Sequence, residues 1–169
     1  TGGEAVKLTD VKGGVTDYAW SPDGRRLSLV VAVPDPSAPE EDDKSDKSKD
    51  AAAKTPKPIV VDRYYFKSDA GGYLRGERSH LYLFDIAAYL ADPGKAKAEI
   101  LTPGTFNETS PAWSPDSRQI AFIRRHRDDG DVDKMPNADV FVIDARPGAE
   151  PRRLTTTTAA ASGVLSWSP

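Results

Sequence analysis

Trp-Ser-Pro stands three times in this chain, at Trp20, Trp113 and Trp167. Each time a Leu-Thr pair precedes it, at Leu8-Thr9, Leu101-Thr102 and Leu154-Thr155. The offset from Leu to Trp is 12, 12 and 13 residues, while the residues between are unrelated. A fixed offset with varying content marks a repeated structural unit, and a repeat constrains the fold before any local propensity does.

Inside a unit the order of signals is constant. Ser-Pro-Asp-Gly (21–24) and Ser-Pro-Asp-Ser (114–117) predict a turn. Pro sets φ near −65°, and Asp and Gly follow, able to bond back to the backbone or to take positive φ. After the turn, "RRLSLVVAV" and "RQIAFI" alternate polar and apolar, as a strand with one buried face does. A third strand follows in "HLYLFDI" (80–86) and "DVFVIDA" (139–145), each ending in apolar-Asp-apolar. The Leu-Thr strand ("KAEILT", "PRRLTT") then closes the unit and leads back to Trp.

Four antiparallel strands in roughly 40 to 55 residues describe one blade of a β-propeller. Trp113 to Trp167 spans 54 positions and fits; Trp20 to Trp113 spans 93. The surplus lies between the second and third strands of the first unit. Residues 34–58 are dense in Pro, Lys, Asp and Glu, too polar to offset the entropy of ordering, and read as a flexible loop. "IVVDRYYFK" (59–67), "SDAGG" (68–72) and a strand resuming near Arg78 read as a hairpin extension. The expected fold is all-β, a β-propeller piece of about two four-stranded antiparallel blades with a hairpin insertion. Its expected divisions are 1–9, the end of a preceding blade; 10–102, a blade with the insertion; 103–155, a second blade; and 156–169, the start of a third.

Composition excludes several functions. The formal net charge of −3, without a basic stripe, argues against nucleic acid as a partner. With no cysteine there is no disulfide, thiolate or Cys-based zinc site, and cytoplasm and periplasm both remain open. No apolar run approaches the roughly 20 residues of a membrane span.

The Trp-Ser-Pro-Asp-Gly repeat after Leu-Thr resembles the propeller repeat of TolB-like proteins and of the prolyl oligopeptidase family. The stretch "PIVVDRYYFKSDAGGYLRGERSHLYLFDI" (58–86) resembles more specifically the propeller of bacterial acylaminoacyl-peptidase or dipeptidyl-peptidase relatives. That resemblance implies a propeller gating an α/β-hydrolase domain with a Ser-Asp-His triad, acting on peptides without a cofactor. The nucleophile of such a domain stands in Gly-x-Ser-x-Gly, which occurs nowhere in these 169 residues. The expected role is therefore non-catalytic: gating and selecting substrate for a hydrolase domain of the same parent chain. A TolB-like module that binds protein partners, with no enzyme attached, is the alternative.

No catalytic residue and no metal site is expected. His126 sits in the charged run "RRHRDDGD" and reads as a solvated loop residue; His80 reads as a satisfied edge residue where a strand begins. Asp129, Asp131 and Asp133 resemble a calcium loop, but counting from Asp129 the sixth and twelfth places hold Lys134 and Val140 instead of Gly and Glu. Asp85, Asp144 and the three Trp recur from unit to unit, which points to architecture. Arg63, Tyr64, Tyr65 and Lys67 do not recur. They are the candidates for contact with a peptide or with the hydrolase domain, against the alternative of packing on a neighbouring blade. Open blade faces also predict self-association, most simply as a two-fold dimer.

Overall fold

The computed structural model describes residues 4, 7–34, 67–68, 72–73, 77–126, 137–156 and 161–168. In chain order the elements are β1 (Gly14–Trp20), β2 (Arg26–Pro34), β3 (Lys67–Ser68), β4 (Gly72–Tyr73), β5 (Glu77–Asp85), α1 (Ile86–Ala91) and β6 (Glu99–Ile100). β7 (Asn107–Trp113), β8 (Gln119–His126), β9 (Asn137–Asp144) and β10 (Arg152–Arg153) follow. They form two four-stranded antiparallel sheets, β1-β2-β5-β6 and β7-β8-β9-β10, with β3 and β4 as a separate two-stranded hairpin. The chain is all-β, as the alternating patterns predict, and each sheet holds one repeat unit.

The shared Ser-Pro-Asp string has one geometry in both units. Ser21 Oγ donates to Asp23 Oδ1 at 2.6 Å and accepts from Arg26 N at 2.9 Å, while Asp23 Oδ1 accepts from Arg25 N at 3.0 Å. Ser114, Asp116, Arg118 and Gln119 repeat those bonds at 2.6, 2.9 and 3.0 Å. The Ser hydroxyl and the Asp carboxylate thus satisfy backbone and hydroxyl donors that the tight turn leaves without strand partners. The fourth turn residue has positive φ, 69° at Gly24 and 59° at Ser117.

Leu-Thr is a clamp on the third strand. Leu101 N donates to Leu81 O at 2.7 Å, and Leu81 N donates to Thr102 Oγ1 at 2.8 Å. Leu154 N to Val140 O at 2.8 Å and Val140 N to Thr155 Oγ1 at 3.0 Å repeat it. Leu81 and Val140 each stand four residues before the recurring Asp, so the constant spacing records one hydrogen-bond ring. Leu8-Thr9 departs from this pattern. It lies outside any strand, and Leu8 packs on the outer face of the first sheet beside Leu27, Leu29, Val31 and Phe84.

The core lies between the sheets. Val30, Leu81, Leu83 and Leu101 from the first unit meet Trp113, Ile120, Phe122, Phe141 and Ile143 from the second. Each fully buried side chain of this kind contributes about 1.5–3 kcal/mol. The outer face of the first sheet is covered in part by Ile86 and Tyr89 of α1. That helix is absent from the strand-only expectation. Asp85 starts it by accepting Ala88 N at 2.9 Å, an N-cap bond from the recurring Asp. Asp144 instead accepts Gln119 Nε2 at 3.1 Å, and no helix follows.

Candidate functional site

The seam between the sheets is built from residues that repeat, such as Trp113, Ala19 and Asp23, and from others that do not, among them Arg26, Ser28 and Ser117. Trp113 ends β7 and is 7% exposed. Its indole N–H donates to Ala19 O at 3.0 Å and to Ser28 Oγ at 3.1 Å. Arg26 lies above it, Cζ 5.1 Å from the ring centroid, and donates from Nη1 to Ala145 O at 2.7 Å and from Nη2 to Ser117 O. Asp23 N donates to Ser117 Oγ at 3.1 Å. The turn of one unit is therefore fastened to the turn of the next. Gln119 occupies the place of Arg26 in the second unit, so comparison of the repeats leaves the Arg26 role unseen.

A second polar cluster joins the sheets deeper in the core. His80 Nδ1 lies 3.1 Å from Glu108 Oε2, and Arg124 Nε donates to Glu108 Oε1 at 2.9 Å. All three are buried, and the guanidinium lies against the rings of Phe106, Phe122 and Phe141. His80 is thus no edge residue: β5 is a central strand, and the imidazole is sealed against a carboxylate of β7. Asp139 forms a parallel link within the second sheet, accepting from Arg153 Nη2 at 2.6 Å and from Thr155 Oγ1 at 2.7 Å. Arginine supplies the cations because its weakly hydrated fork tolerates burial against a carboxylate and aromatic faces. Among the described residues, no hydroxyl nucleophile bonds to the imidazole. The cluster holds the sheets together and does not form a nucleophile–base pair.

The residues singled out for contact are divided. Lys67 begins β3, whose backbone pairs with β4 in the register Lys67↔Tyr73 and Ser68↔Gly72. This short hairpin stands at the expected turn, 68–72, with its second strand at Gly72–Tyr73 and not near Arg78, which belongs to β5; residues 59–66 lie outside the described residues. Arg63, Tyr64 and Tyr65 lie outside the described residues, as do residues 34–58 apart from Pro34, and Asp129, Asp131 and Asp133. His126 closes β8 opposite Asn137, so its backbone belongs to a strand and not to a loop. Among the described residues no three His, Cys, Asp or Glu stand together as metal ligands. No described helix is long and apolar enough to cross a membrane.

These sites define a class: an all-β chain of two consecutive, equivalent sheets whose polar clusters serve the joint between them. No protein-family model matches the chain. Over 142 residues, 84% of its length, it is 29% identical to the uncharacterized peptidase YuxL of Bacillus subtilis (strain 168). That likeness supports a peptidase-family relationship, and the chain spans 19% of the length of that relative.

Proposed function

We propose that this chain is the non-catalytic propeller portion of a serine peptidase of the prolyl oligopeptidase family, gating and selecting peptides for an α/β-hydrolase domain in the same parent chain. The observation that carries the reading is the pairing of two equivalent four-stranded sheets with likeness to a peptidase. Equivalent sheets joined face to face in sequence order are how propeller blades stack. The catalytic triad of such an enzyme belongs to the hydrolase domain, which agrees with seams made of Trp, Arg and Ser and of buried ion pairs. The β3–β4 hairpin lies in the first unit, within the stretch by which that unit is longer than the second. An insertion in one repeat commonly serves recognition, and Lys67, Arg63, Tyr64 and Tyr65 are its proposed contacts with peptide or hydrolase domain.

The test uses the full product of the parent gene. A serine-directed fluorophosphonate should label it at a serine outside residues 1–169, inside Gly-x-Ser-x-Gly, and the same reagent should abolish aminoacyl or dipeptidyl ester turnover. A parent reading frame without that motif, and a product that neither labels nor turns over, would leave the binding-module reading.

A further inference from the structure

Glu108 and Arg124 face each other across β7 and β8, in the place that Val15 and Val31 hold across β1 and β2. The first sheet is built with two valines there, so the four-stranded unit does not need a charged pair at this place. A buried ion pair gains little stability over apolar residues of similar size, because desolvation offsets the attraction. Stability of the sheet therefore does not account for Arg124.

The guanidinium of Arg124 is only partly used. Nε donates to Glu108 Oε1 at 2.9 Å, and among the described residues Nη1 and Nη2 have no hydrogen-bond acceptor. The two neighbouring carboxylates are committed elsewhere. Glu108 Oε2 meets His80 Nδ1 at 3.1 Å, and Asp139, opposite Arg124 in the β8–β9 register, accepts from Arg153 and Thr155. The Arg124 side chain is 10% exposed, and no fully buried side-chain nitrogen among the described residues lacks a partner. The Nη1–Nη2 edge therefore opens at the surface of the seam. Phe106, Phe141 and Phe122 hold the guanidinium in place, their ring centroids 4.6, 5.0 and 5.5 Å from Cζ, and Phe106 is itself half-buried. This opening lies at the end of the sheets where β2 stops at Pro34 and β5 starts at Glu77. The β3–β4 hairpin stands between those two residues in the chain.

We propose that the Nη1–Nη2 edge of Arg124 is a recognition site for the carboxylate of a peptide, with the ring of Phe106 taking an apolar side chain beside it. Two parallel N–H donors match the two oxygens of a carboxylate, and the surrounding rings lower the local dielectric, which strengthens a charge-assisted bond. Glu108 occupies the Nε side, so the incoming carboxylate meets a different and unoccupied edge. Arginine suits the task where lysine would not, because its fork is planar and rigid. The choice of a peptide as the bearer of the carboxylate rests on the proposed function, whereas the free edge of Arg124 does not. Failure here leaves the fluorophosphonate test of that function untouched.

The test is titration of the isotope-labelled full chain, followed at the Arg124 side-chain Nε–H signal, which Arg124→Lys assigns by its loss. N-acetyl-Ala-Phe carries a terminal carboxylate, N-acetyl-Phe-Asp-amide a side-chain carboxylate, and N-acetyl-Ala-Phe-amide neither. At least one of the two acids should move the signal and bind about tenfold or more tighter than the uncharged amide, as a hydrogen bond to a charged group does. The tighter acid identifies the source of the carboxylate. Glu108→Val with Arg124→Val installs the pair that the first sheet already carries, so it should fold by far-UV circular dichroism and lose the preference for acids. Arg124→Lys keeps the charge without the fork and should weaken acid binding, which decides the matter should the double variant not fold. A signal that neither acid moves overturns the proposal, as does amide or acetate binding as tight as that of the acids. So does a preference for acids that survives in the folded double variant or stays unchanged in Arg124→Lys.

Discussion

The indole nitrogen of Trp113 donates to the carbonyl of Ala19 at 3.0 Å, across 94 residues of sequence, and places the second sheet against the first. Because the ring is buried and also bonded to Ser28, Trp113→Ala should cost about 3–5 kcal/mol in chemical denaturation. Trp20→Ala, at the equivalent but exposed place, should cost the monomer at most about 1 kcal/mol. Equal losses at the two positions would contradict the different environments of the two rings.

Ser117 stands where the first unit has Gly24, and both take positive φ. Its side chain has a use there that glycine lacks, since its hydroxyl accepts Asp23 N. Ser117→Ala keeps the left-handed strain and loses the bond, whereas Ser117→Gly loses the bond and relieves the strain. The alanine variant should therefore be less stable than the glycine variant by about 1 kcal/mol. Thermal midpoints in the reverse order would show that backbone strain is not what the position carries.

Asp23 and Asp116 are held below the ordinary 3.8 of an aspartate, first by the hydroxyls of Ser21 and Ser114, then by the N–H groups of Arg25 and Arg118. A carboxylate depressed on folding stabilises the folded state above its unfolded pKa, and that contribution is lost as pH falls through the folded value. Stability measured by denaturant titration should decline below about pH 4. Asp23→Asn with Asp116→Asn should lower stability at neutral pH and flatten that acid decline. An unchanged acid limb would remove these two groups from the account.

Glu108 sits between His80 and Arg124, so Glu108→Ala leaves a buried guanidinium without its carboxylate. The expected cost is about 3–5 kcal/mol, the range for breaking one side of a buried pair. Glu108→Gln, which keeps an acceptor oxygen, should lose less. A silent Glu108→Ala would mean that Arg124 finds another partner or reaches water.

Much of this architecture was legible because the repeat writes it twice. Alternation after each Ser-Pro-Asp located β2 and β8, and apolar-Asp-apolar located the ends of β5 and β9. What escaped is what does not repeat. Arg26 has Gln119 as its counterpart, so no comparison of units marks it as the staple over Trp113. His80 and Glu108 lie in different units, and nothing local in "RSHLYL" or "FNETS" announces that they meet. The strand pattern leaves no place for a helix at "IAAYLAD", yet its Asp85 cap and Ala-rich run favour a short one. The contact candidates were the least legible. Arg63, Tyr64 and Tyr65 lack counterparts in the second unit, which separates insertion from scaffold and carries no information about what they touch.

The three indole N–H groups test the account most directly, because they are three separate reporters of one claim. Hydrogen exchange followed in nitrogen–proton spectra, at a dilution where the chain is monomeric and with signals assigned by Trp→Phe variants, should rank them. Trp113, buried and doubly bonded, should exchange slowest, Trp167 faster, and Trp20 at the rate of an unprotected indole. Slow exchange at Trp20 with fast exchange at Trp113 would contradict the stacking of two equivalent sheets through Trp113.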